Sequence, residues 1–302
     1  MSYTRKSYTC HNSECSAPEN RQGKMYPSAM ECPFCDVDLV EVVSFSEADT
    51  ELINSLPYVI AYPLQRALIE SNSWTKINLL NDTFLNYLKY LGLLSASEFF
   101  NSEIKDKGMV ALFHKNLMET AFGKWNHYIR ECLLFLKQQN HTFFYPELPA
   151  YYELVETGPK SKKYKGEIEY QDGNGDTQYI VQTSVTGIGM LINFRNRYLG
   201  HGQTWNEDKS KELWNEYFPI FRQLLEQLSF TKDYPMLKRE HGETYLLHSS
   251  EIRTVESNVV SDSNIWIQNN EGKSFSILPF FIVPGEVSLA KEDKEQLLIY
   301  QS

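Results

Sequence analysis

The sequence predicts a mainly α-helical protein with a small cysteine-rich module at its N-terminus and a small β-rich module at its C-terminus. Four of the five cysteines lie in the first 35 residues, and apolar residues recur at helical spacing from about residue 50 to about residue 230. Short segments with alternating polarity follow from about residue 232. The expected domain boundaries are therefore 1–45, 46–230 and 231–302.

The composition of the 302-residue chain is that of a folded protein, since hydrophobic residues make up 42% and aromatic residues 14%. No apolar run reaches the length of a membrane span, and the N-terminal stretch MSYTRKSYTCHNSEC has no signal-peptide core. We therefore expect a cytoplasmic protein without membrane association. The formal net charge of -10 argues against a broad nucleic-acid-coating surface, but it is compatible with a small basic cleft.

Two pairs of closely spaced cysteines predict a structural zinc site in the first module. Four residues separate Cys10 from Cys15, and two residues separate Cys32 from Cys35. Thiolates on two tight turns suit tetrahedral Zn²⁺, and four protein ligands leave no open position for a catalytic water. A segment this short cannot bury a sufficient core, so metal binding would supply most of its folding free energy. His11 is the alternative to Cys10 as a ligand.

On these two cysteine pairs, residues 1–45 resemble the zinc ribbons found at the N-termini of many bacterial multidomain proteins. The resemblance implies a structural metal, and we expect the module to recognise a protein partner or nucleic acid. Because the module carries the basic residues Arg5, Lys6, Arg21 and Lys24, a zinc-ribbon regulator that binds DNA is a further interpretation, although no other segment supports the reading of bases.

The central region predicts helices that pack through apolar stripes. Residues 58–100 and 109–139 each carry such a stripe, and we expect the two regions to pack on each other as antiparallel helices. A break or cap is expected near Asn81 and Asp82. The first stripe consists of Leu80, Phe84, Tyr87, Leu88, Leu91 and Leu94, and the second of Leu117, Ala121, Trp125, Tyr128, Cys132 and Phe135.

A β-hairpin and two more helices complete the central region. Residues from about 166 to 182 alternate in polarity on either side of a glycine-rich turn, which predicts an inserted hairpin. One helix then ends in NFRNRYLGHG, residues 193–202, and the other covers about 206–230 with a kink expected at Pro219. The inner face of the last helix is expected to consist of Leu213, Tyr217, Ile220, Phe221, Leu224 and Leu228.

The C-terminal module, 231–302, predicts short strands. Residues 243–256 and 264–283 read as strands, with NNEGK, residues 269–273, as a hairpin turn. The tail AKEDKEQLLIY is either a last helix or an edge strand ending in LLIY. We expect this module to provide a docking or sensing surface.

The helix end NFRNRYLGHG contains Arg195, Asn196 and His201. On a straight α-helix the side chains of Arg195 and His201 would point roughly 120° apart. Gly200 can adopt the left-handed conformation that ends a helix, and His201 could then fold back toward Arg195. Arginine and histidine also complement the helix dipole at a C-terminus, so these residue types occur at helix ends that carry no chemistry.

An arginine, a polar residue and, after four more residues, a histidine at the end of a helix resemble the signature of the HEPN superfamily. Arg195, Asn196 and His201 match that pattern within a helical region of about residues 50–230. The inserted hairpin departs from the common core, which indicates a divergent member. The resemblance implies a bundle of four or five helices that often forms a homodimer with the two motifs facing each other. Many members are metal-independent ribonucleases, and others bind nucleotides or partners without cleavage.

The resemblance implies a catalytic role for each motif residue. His201 would move protons at the RNA 2′-hydroxyl or the leaving 5′-oxygen, and Arg195 would stabilise charge on the phosphorus. Asn196 would orient the histidine or the phosphate, and the product would be a 2′,3′-cyclic phosphate. The basic residues Lys160, Lys162, Lys163, Lys165 and Arg197 would contact RNA phosphates; alternatively, the lysine run is a solvated loop.

Two functions are therefore expected. The first is a HEPN-like endoribonuclease or toxin-type effector, with bacterial antiphage defence implied by the resemblance alone. The second is a non-catalytic HEPN-like adaptor that dimerises and binds a partner protein or nucleic acid. The sequence contains no G-x-x-x-x-G-K-[ST], G-x-S-x-G or H-E-x-x-H motif, which removes the commonest NTPase, hydrolase and zinc-protease interpretations.

Overall fold

The computed structural model describes residues 5–9, 31–32, 35, 40–117, 121–157, 161–171, 177–199, 204–256, 265–277, 281–282 and 298–299. The chain divides into two compact units, Met1–Leu52 and Ile53–Ser302. The described part is mainly helical with a small C-terminal β-sheet, which confirms the coarse fold class that the sequence predicts. Within these ranges no helix is long and apolar enough to cross a bilayer.

In the residues of the first unit that the structure describes, a strand pair precedes the start of a helix. Strand β1 (Arg5–Thr9) pairs antiparallel with strand β2 (Val40–Ser44), with Thr9 opposite Val40. Helix α1 (Glu47–Asn54) follows. Ser46 caps it, because the Ser46 hydroxyl accepts a hydrogen bond of 3.1 Å from the Asp49 N–H and donates one of 2.7 Å to the Asp49 carboxylate.

The second unit begins with four helices. They are α2 (Tyr58–Ile69), α3 (Ser73–Asn101), α4 (Lys107–Leu117) and α5 (Phe122–Gln138). The predicted break near Asn81 and Asp82 is wrong, because α3 runs through both residues. Asn72 instead caps the start of α3, because its side chain accepts a 2.9 Å hydrogen bond from the Thr75 N–H. The predicted stripe of α3 is buried along its whole length.

Helices α3 and α5 pack on each other as expected, but they run parallel, so the predicted antiparallel arrangement is wrong. The ring centroids of Phe84 and Phe122 are 5.5 Å apart, and further along both helices those of Phe99 and Phe135 are 6.2 Å apart. The contacting residue numbers therefore increase together. The second predicted stripe is divided between α4 and α5, and the additional helix α4 returns the chain to the start of α5.

The remaining helices flank a hairpin. Helix α6 (Glu147–Tyr152) continues into a π-helical turn, Glu153–Thr157. Strands β3 (Lys163–Gln171) and β4 (Thr177–Thr186) pair antiparallel, so the predicted hairpin is confirmed and is a few residues longer than expected. Helix α7 (Gly187–Phe194) leads into a second π-helical turn, Arg195–Leu199. Helix α8 (Glu207–Gln227) passes into a 3-10 turn, Leu228–Asp233.

Helix α8 lies between α3 and α7. The edge-to-face contact between Phe221 and Phe84, 5.5 Å between centroids, joins it to α3. The stacked pair Tyr217 and Phe194, at 4.4 Å, joins it to the end of α7. All six residues predicted for its inner face are buried. The end of α7 is therefore held against the aromatic core.

The C-terminal sheet contains five antiparallel strands in the order β7-β6-β5-β8-β9. They are β5 (Met236–Glu240), β6 (Glu243–His248), β7 (Glu251–Val255), β8 (Ile265–Gln268) and β9 (Ser274–Ser276). The β8–β9 turn contains Gly272 with φ +78°, in agreement with the predicted NNEGK turn. Strand β10 (Phe281–Ile282) pairs with β11 (Leu298–Ile299), so the tail provides a short strand.

Two contacts join the sheet to loops of the helical region in the same unit. At the β6–β7 turn, the Ser249 N–H donates a 2.8 Å hydrogen bond to the Leu56 carbonyl. At β9, the ring of Phe275 stacks on that of Phe144, with centroids 4.7 Å apart. Phe144 belongs to the loop between α5 and α6, so this loop connects the helical core to the sheet.

Candidate functional site

Helix α7 positions the motif, and its start is fixed by a polar network. The Thr186 hydroxyl caps the helix by accepting a 2.9 Å hydrogen bond from the Gly189 N–H, and it donates to the Glu156 carboxylate. The Asn126 amide donates a 3.1 Å hydrogen bond to the same carboxylate. The helix that carries the motif is therefore anchored at its start to α5 and to the π-helical turn after α6.

The backbone widens where the motif begins. Residues Arg195–Leu199 form a π-helical turn, so the geometry of a straight α-helix does not apply to this segment. We call Arg195–Leu199 the motif segment. Gly200 and His201, on which the predicted convergence of Arg195 and His201 depends, lie outside the described residues. Their approach to Arg195 stays a prediction.

Arg195 is half-buried, and its guanidinium is held on two sides. Its Cζ atom lies 5.3 Å from the centroid of the Phe122 ring, and its Nη1 donates a 3.2 Å hydrogen bond to Oδ1 of Asn196. Asn196 is exposed. Within the described ranges no carboxylate lies within ion-pair distance of Arg195. The remaining N–H groups of this arginine can therefore meet an anionic ligand.

The second half of the motif segment packs into an aromatic cluster. The Arg197 guanidinium lies 5.3 Å and the Lys209 ammonium 5.6 Å from the centroid of the Tyr198 ring. The Trp205 indole N–H donates a 2.9 Å hydrogen bond to the backbone carbonyl of Tyr198. Burial, together with the nearby charge of Glu216, raises the pKa of Tyr217. Tyr217 is consequently neutral at physiological pH, and it serves as a packing residue.

The structure does not bring the predicted lysine run next to the motif segment. Lys163 pairs with Thr186 at the start of α7, whereas Arg195 follows the end of that helix, roughly 12 Å along its axis. Lys162 donates a 2.9 Å hydrogen bond to the Gln223 side chain, and Lys163 and Lys165 are exposed. Lys160 lies outside the described residues.

Two of the four predicted zinc ligands are described. The Cys35 N–H donates a 3.3 Å hydrogen bond to the Cys32 carbonyl, so both side chains leave the same tight turn, as one half of a four-thiolate site requires. Cys10 and Cys15 lie outside the described residues. In the described part alone, no group of three or more histidine, cysteine, aspartate or glutamate residues is placed to hold a metal ion.

One polar centre that the sequence did not predict is buried between α3 and the α5–α6 loop. Oε2 of Glu98 lies 3.0 Å from Nε2 of His141, and the carboxylate accepts hydrogen bonds of 3.2 Å and 3.0 Å from the N–H groups of Phe144 and Tyr145. Burial raises the pKa of Glu98, and these contacts partly oppose that shift. The only signal in the sequence is one glutamate within the otherwise uncharged helical stretch LGLLSASEFF.

Comparisons with protein families, with curated proteins and with solved structures find no match for this chain. The function has to be inferred from the residues themselves. Among the described polar residues singled out in the sequence, Arg195 and Asn196 combine access to solvent with a fixed position at the end of a well-packed helix. They are the centre of the candidate site.

Proposed function

We propose that the protein is a HEPN-like, metal-independent endoribonuclease that cleaves RNA at the motif segment. The observation that carries this proposal is the guanidinium of Arg195, which is held by Phe122 and Asn196 and has no carboxylate partner in the described part of the chain. An arginine that is fixed but not neutralised can bind a phosphate and the charge that develops on it during transfer. The sequence resemblance supplies His201 as the proton-transfer group.

The reaction needs proton transfer and charge stabilisation. The RNA 2′-oxygen loses its proton to a base and bonds to the adjacent phosphorus, and the bond from phosphorus to the 5′-oxygen breaks. The departing 5′-oxygen takes up a proton, so the products are a 2′,3′-cyclic phosphate and a 5′-hydroxyl. His201 would transfer a proton in these steps, Arg195 would stabilise the phosphoryl oxygens, and Asn196 would orient them.

The basic residues would extend the substrate contact away from the reacting phosphate. Arg197 lies within the motif segment, and Lys163 of the lysine run lies near the other end of α7. An RNA strand would have to pass along α7 to contact both. Such contacts carry affinity rather than sequence preference, because they engage the phosphate backbone.

The proposal includes a structural Zn²⁺ held by Cys10, Cys15, Cys32 and Cys35. Support comes from the spacing of the cysteines, the turn between Cys32 and Cys35, and the pairing of β1 with β2, which flank the cysteine segment. Metal analysis of the purified protein should find about one zinc per chain, and Cys32→Ser should lower that value. Because this metal is structural, RNA cleavage should continue in EDTA.

Cleavage is tested with a 5′-labelled single-stranded RNA in the presence of EDTA. We expect wild-type protein to produce fragments ending in 2′,3′-cyclic phosphate. The cleavage rate of His201→Ala should be lower by a factor of about 100 or more. His114→Ala, which removes an exposed histidine of α4, is the matched control and should cleave like wild type. Equal rates for wild type and His201→Ala, or no cleavage by wild type, would refute the nuclease proposal.

A second function, a non-catalytic adaptor, is favoured by the acidic start of α8. Glu207 and Asp208 lie in its first turn, and Glu212 pairs with Lys209 beside the aromatic cluster. These carboxylates repel phosphate and suit a protein partner better. In this function the helical domain would form the homodimer, and the zinc ribbon or the C-terminal module would bind the partner. His201→Ala would then change dimerisation, measured by analytical ultracentrifugation, without any cleavage to lose.

The biological setting follows from the resemblance alone. HEPN-like ribonucleases with an added zinc ribbon suggest a toxin-type effector in bacterial antiphage defence, acting in the cytoplasm. Controlled expression in a bacterial host tests this part of the proposal. Growth arrest by wild type, and normal growth with His201→Ala at the same protein level, is the expected result.

A further inference from the structure

A pocket of about 450 Å³ lies where α3 ends and α4 begins. This volume is in the range of small-molecule sites, roughly 300–1,000 Å³. Its apolar lining comes from Phe99, Phe100, Ile104 and Val110. None of these residues belongs to the motif segment or to the cysteine module, so the proposed nuclease function does not account for the pocket.

The aromatic wall of the pocket is held in place by the core. The ring of Phe100 packs edge-to-face against the rings of Phe99 and Phe113, with both pairs of centroids 5.1 Å apart. Phe99 and Phe113 are buried, whereas Phe100 stays 38% exposed. The wall therefore presents a fixed apolar ring to solvent, and a ligand would not have to order it on binding.

The loop between the two helices is also fixed by hydrogen bonds. The Ser102 hydroxyl donates a 2.7 Å bond to the Phe99 carbonyl and accepts a 3.2 Å bond from the Ile104 N–H. The Asp106 carboxylate accepts a 2.7 Å bond from the Met109 N–H at the start of α4. These hydrogen bonds fix the backbone that forms this side of the pocket.

The charges that line the pocket favour an anion. Lys105 and Lys107 are both lining residues and both exposed, and neither is within ion-pair distance of a carboxylate in the described part of the chain. Asp106 lies between them, but its carboxylate already bonds to the backbone of α4. These two lysines, on either side of Asp106, lie beside an apolar wall in a chain with a formal net charge of -10.

We propose that this pocket binds a small organic anion with an apolar body, such as a carboxylate or sulfonate on an alkyl or aromatic group. The apolar body would lie against Phe100 and Ile104, and the anionic group would meet Lys105 and Lys107. An inorganic anion would leave the apolar wall uncovered, and a neutral apolar molecule would leave the lysines unused. Both should therefore bind more weakly than a molecule that combines the two features.

The test uses the full-length protein and two probes, 8-anilinonaphthalene-1-sulfonate followed by its fluorescence and decanoate as competitor. We expect one saturable site per chain from which decanoate displaces the dye, while inorganic phosphate at the same concentration does not. The double variant Lys105→Gln/Lys107→Gln should have an affinity for the dye that is lower by a factor of about ten or more, since it loses two charge-assisted contacts. Lys115→Gln, at the far end of α4, is the matched control and should bind like wild type.

A second variant tests the apolar part without removing core packing. Val110→Trp places a large side chain in the pocket, and dye binding should fall about tenfold or more while the circular dichroism spectrum stays that of wild type. Equal binding by wild type and the double lysine variant overturns the proposal, as does displacement of the dye by phosphate alone. Absence of saturable binding at millimolar probe also overturns it. None of these results depends on RNA cleavage.

Discussion

Glu98 and Arg195 are both charged residues on helical segments of the same unit, and their surroundings are opposite. Glu98 is 1% exposed, and His141 and two backbone N–H groups contact its carboxylate. Arg195 is half-buried, its hydrogen bond goes to the neighbouring Asn196, and no described carboxylate neutralises it. A charged residue whose bonds are all made inside the fold stabilises structure, whereas one with unused donors at the surface is available to a ligand.

The contacts of Glu98 show what a structural charge does in this fold. It fixes the backbone of Phe144 and Tyr145, and the rings of both residues contact Phe275 of the C-terminal sheet, with centroids 4.7 Å and 5.8 Å away. One carboxylate on α3 therefore orders the loop that joins the helices to the sheet. The comparable partner for Arg195 would be a phosphate from outside the protein.

The largest effect on stability is expected for Glu98→Ala. The variant leaves two buried backbone N–H groups and an imidazole without their partner, which should lower the free energy of unfolding by about 3 kcal/mol or more. Guanidinium denaturation followed by circular dichroism measures this change. Glu103→Ala removes an exposed glutamate from the adjacent loop and should stay within about 0.5 kcal/mol of wild type. Similar losses for both variants would contradict the structural role of Glu98.

The pH dependence of stability provides a finer test of the same carboxylate. Burial raises the pKa of Glu98 above its ordinary value of 4.5, so the folded protein holds this proton more tightly than the unfolded chain does. The stability that this group contributes is complete below pH 4.5 and is lost as the pH rises through the raised pKa of the folded state. Glu98→Gln cannot titrate and does not lose this contribution. As the pH rises above 4.5, the unfolding free energy of the variant should therefore increase relative to that of wild type.

Denaturation series between pH 4 and pH 8 measure that difference. His141 faces Glu98 directly, so the comparison is repeated in a His141→Asn background, which has no imidazole at this position. The direction of the change should be the same in both backgrounds. The unfolding free energy of the glutamine variant minus that of wild type should grow with rising pH. If this difference stays constant or shrinks, burial does not dominate the pKa of Glu98.

The sequence predicted the apolar faces well because burial has a period that a single segment reveals. The stripe from Leu80 to Leu94 and the inner face from Leu213 to Leu228 are buried as expected. Whether two helices pack parallel or antiparallel depends on the connections between them. The apolar stripe from Leu117 to Phe135 did not reveal that this region forms two separate helices, α4 and α5. The parallel pairing of α3 and α5 was therefore predicted wrongly.

The polar centres were predictable to different degrees. Arg195 and Asn196 were singled out because, together with His201, they match the spacing of the HEPN signature, and their role stays a prediction. The π-helical turn that contains both residues was not predicted. The partnership of Glu98 with His141 joins residues 43 positions apart in the chain, and a lone glutamate in an uncharged helical stretch does not reveal which residue it contacts. A contact of this kind is fixed by tertiary packing alone.

The smallest effect on stability is expected at Arg195, and it is the effect that separates the two sites most sharply. Arg195→Gln should change the free energy of unfolding by no more than about 0.5 kcal/mol, because the side chain is half-exposed and its hydrogen bond to Asn196 lies at the surface. The same variant should cleave RNA about 100-fold more slowly than wild type, since the charge on the transferring phosphoryl group loses its partner.

Arg195→Lys keeps the charge and removes the planar guanidinium that binds two phosphate oxygens and lies over Phe122. We expect it to be as stable as wild type and to recover little of the cleavage rate. A loss of about 2 kcal/mol or more in Arg195→Gln would place Arg195 with Glu98 as a structural residue. In that case the residues at the helix end would only stabilise the fold, and the adaptor function would be favoured over the nuclease.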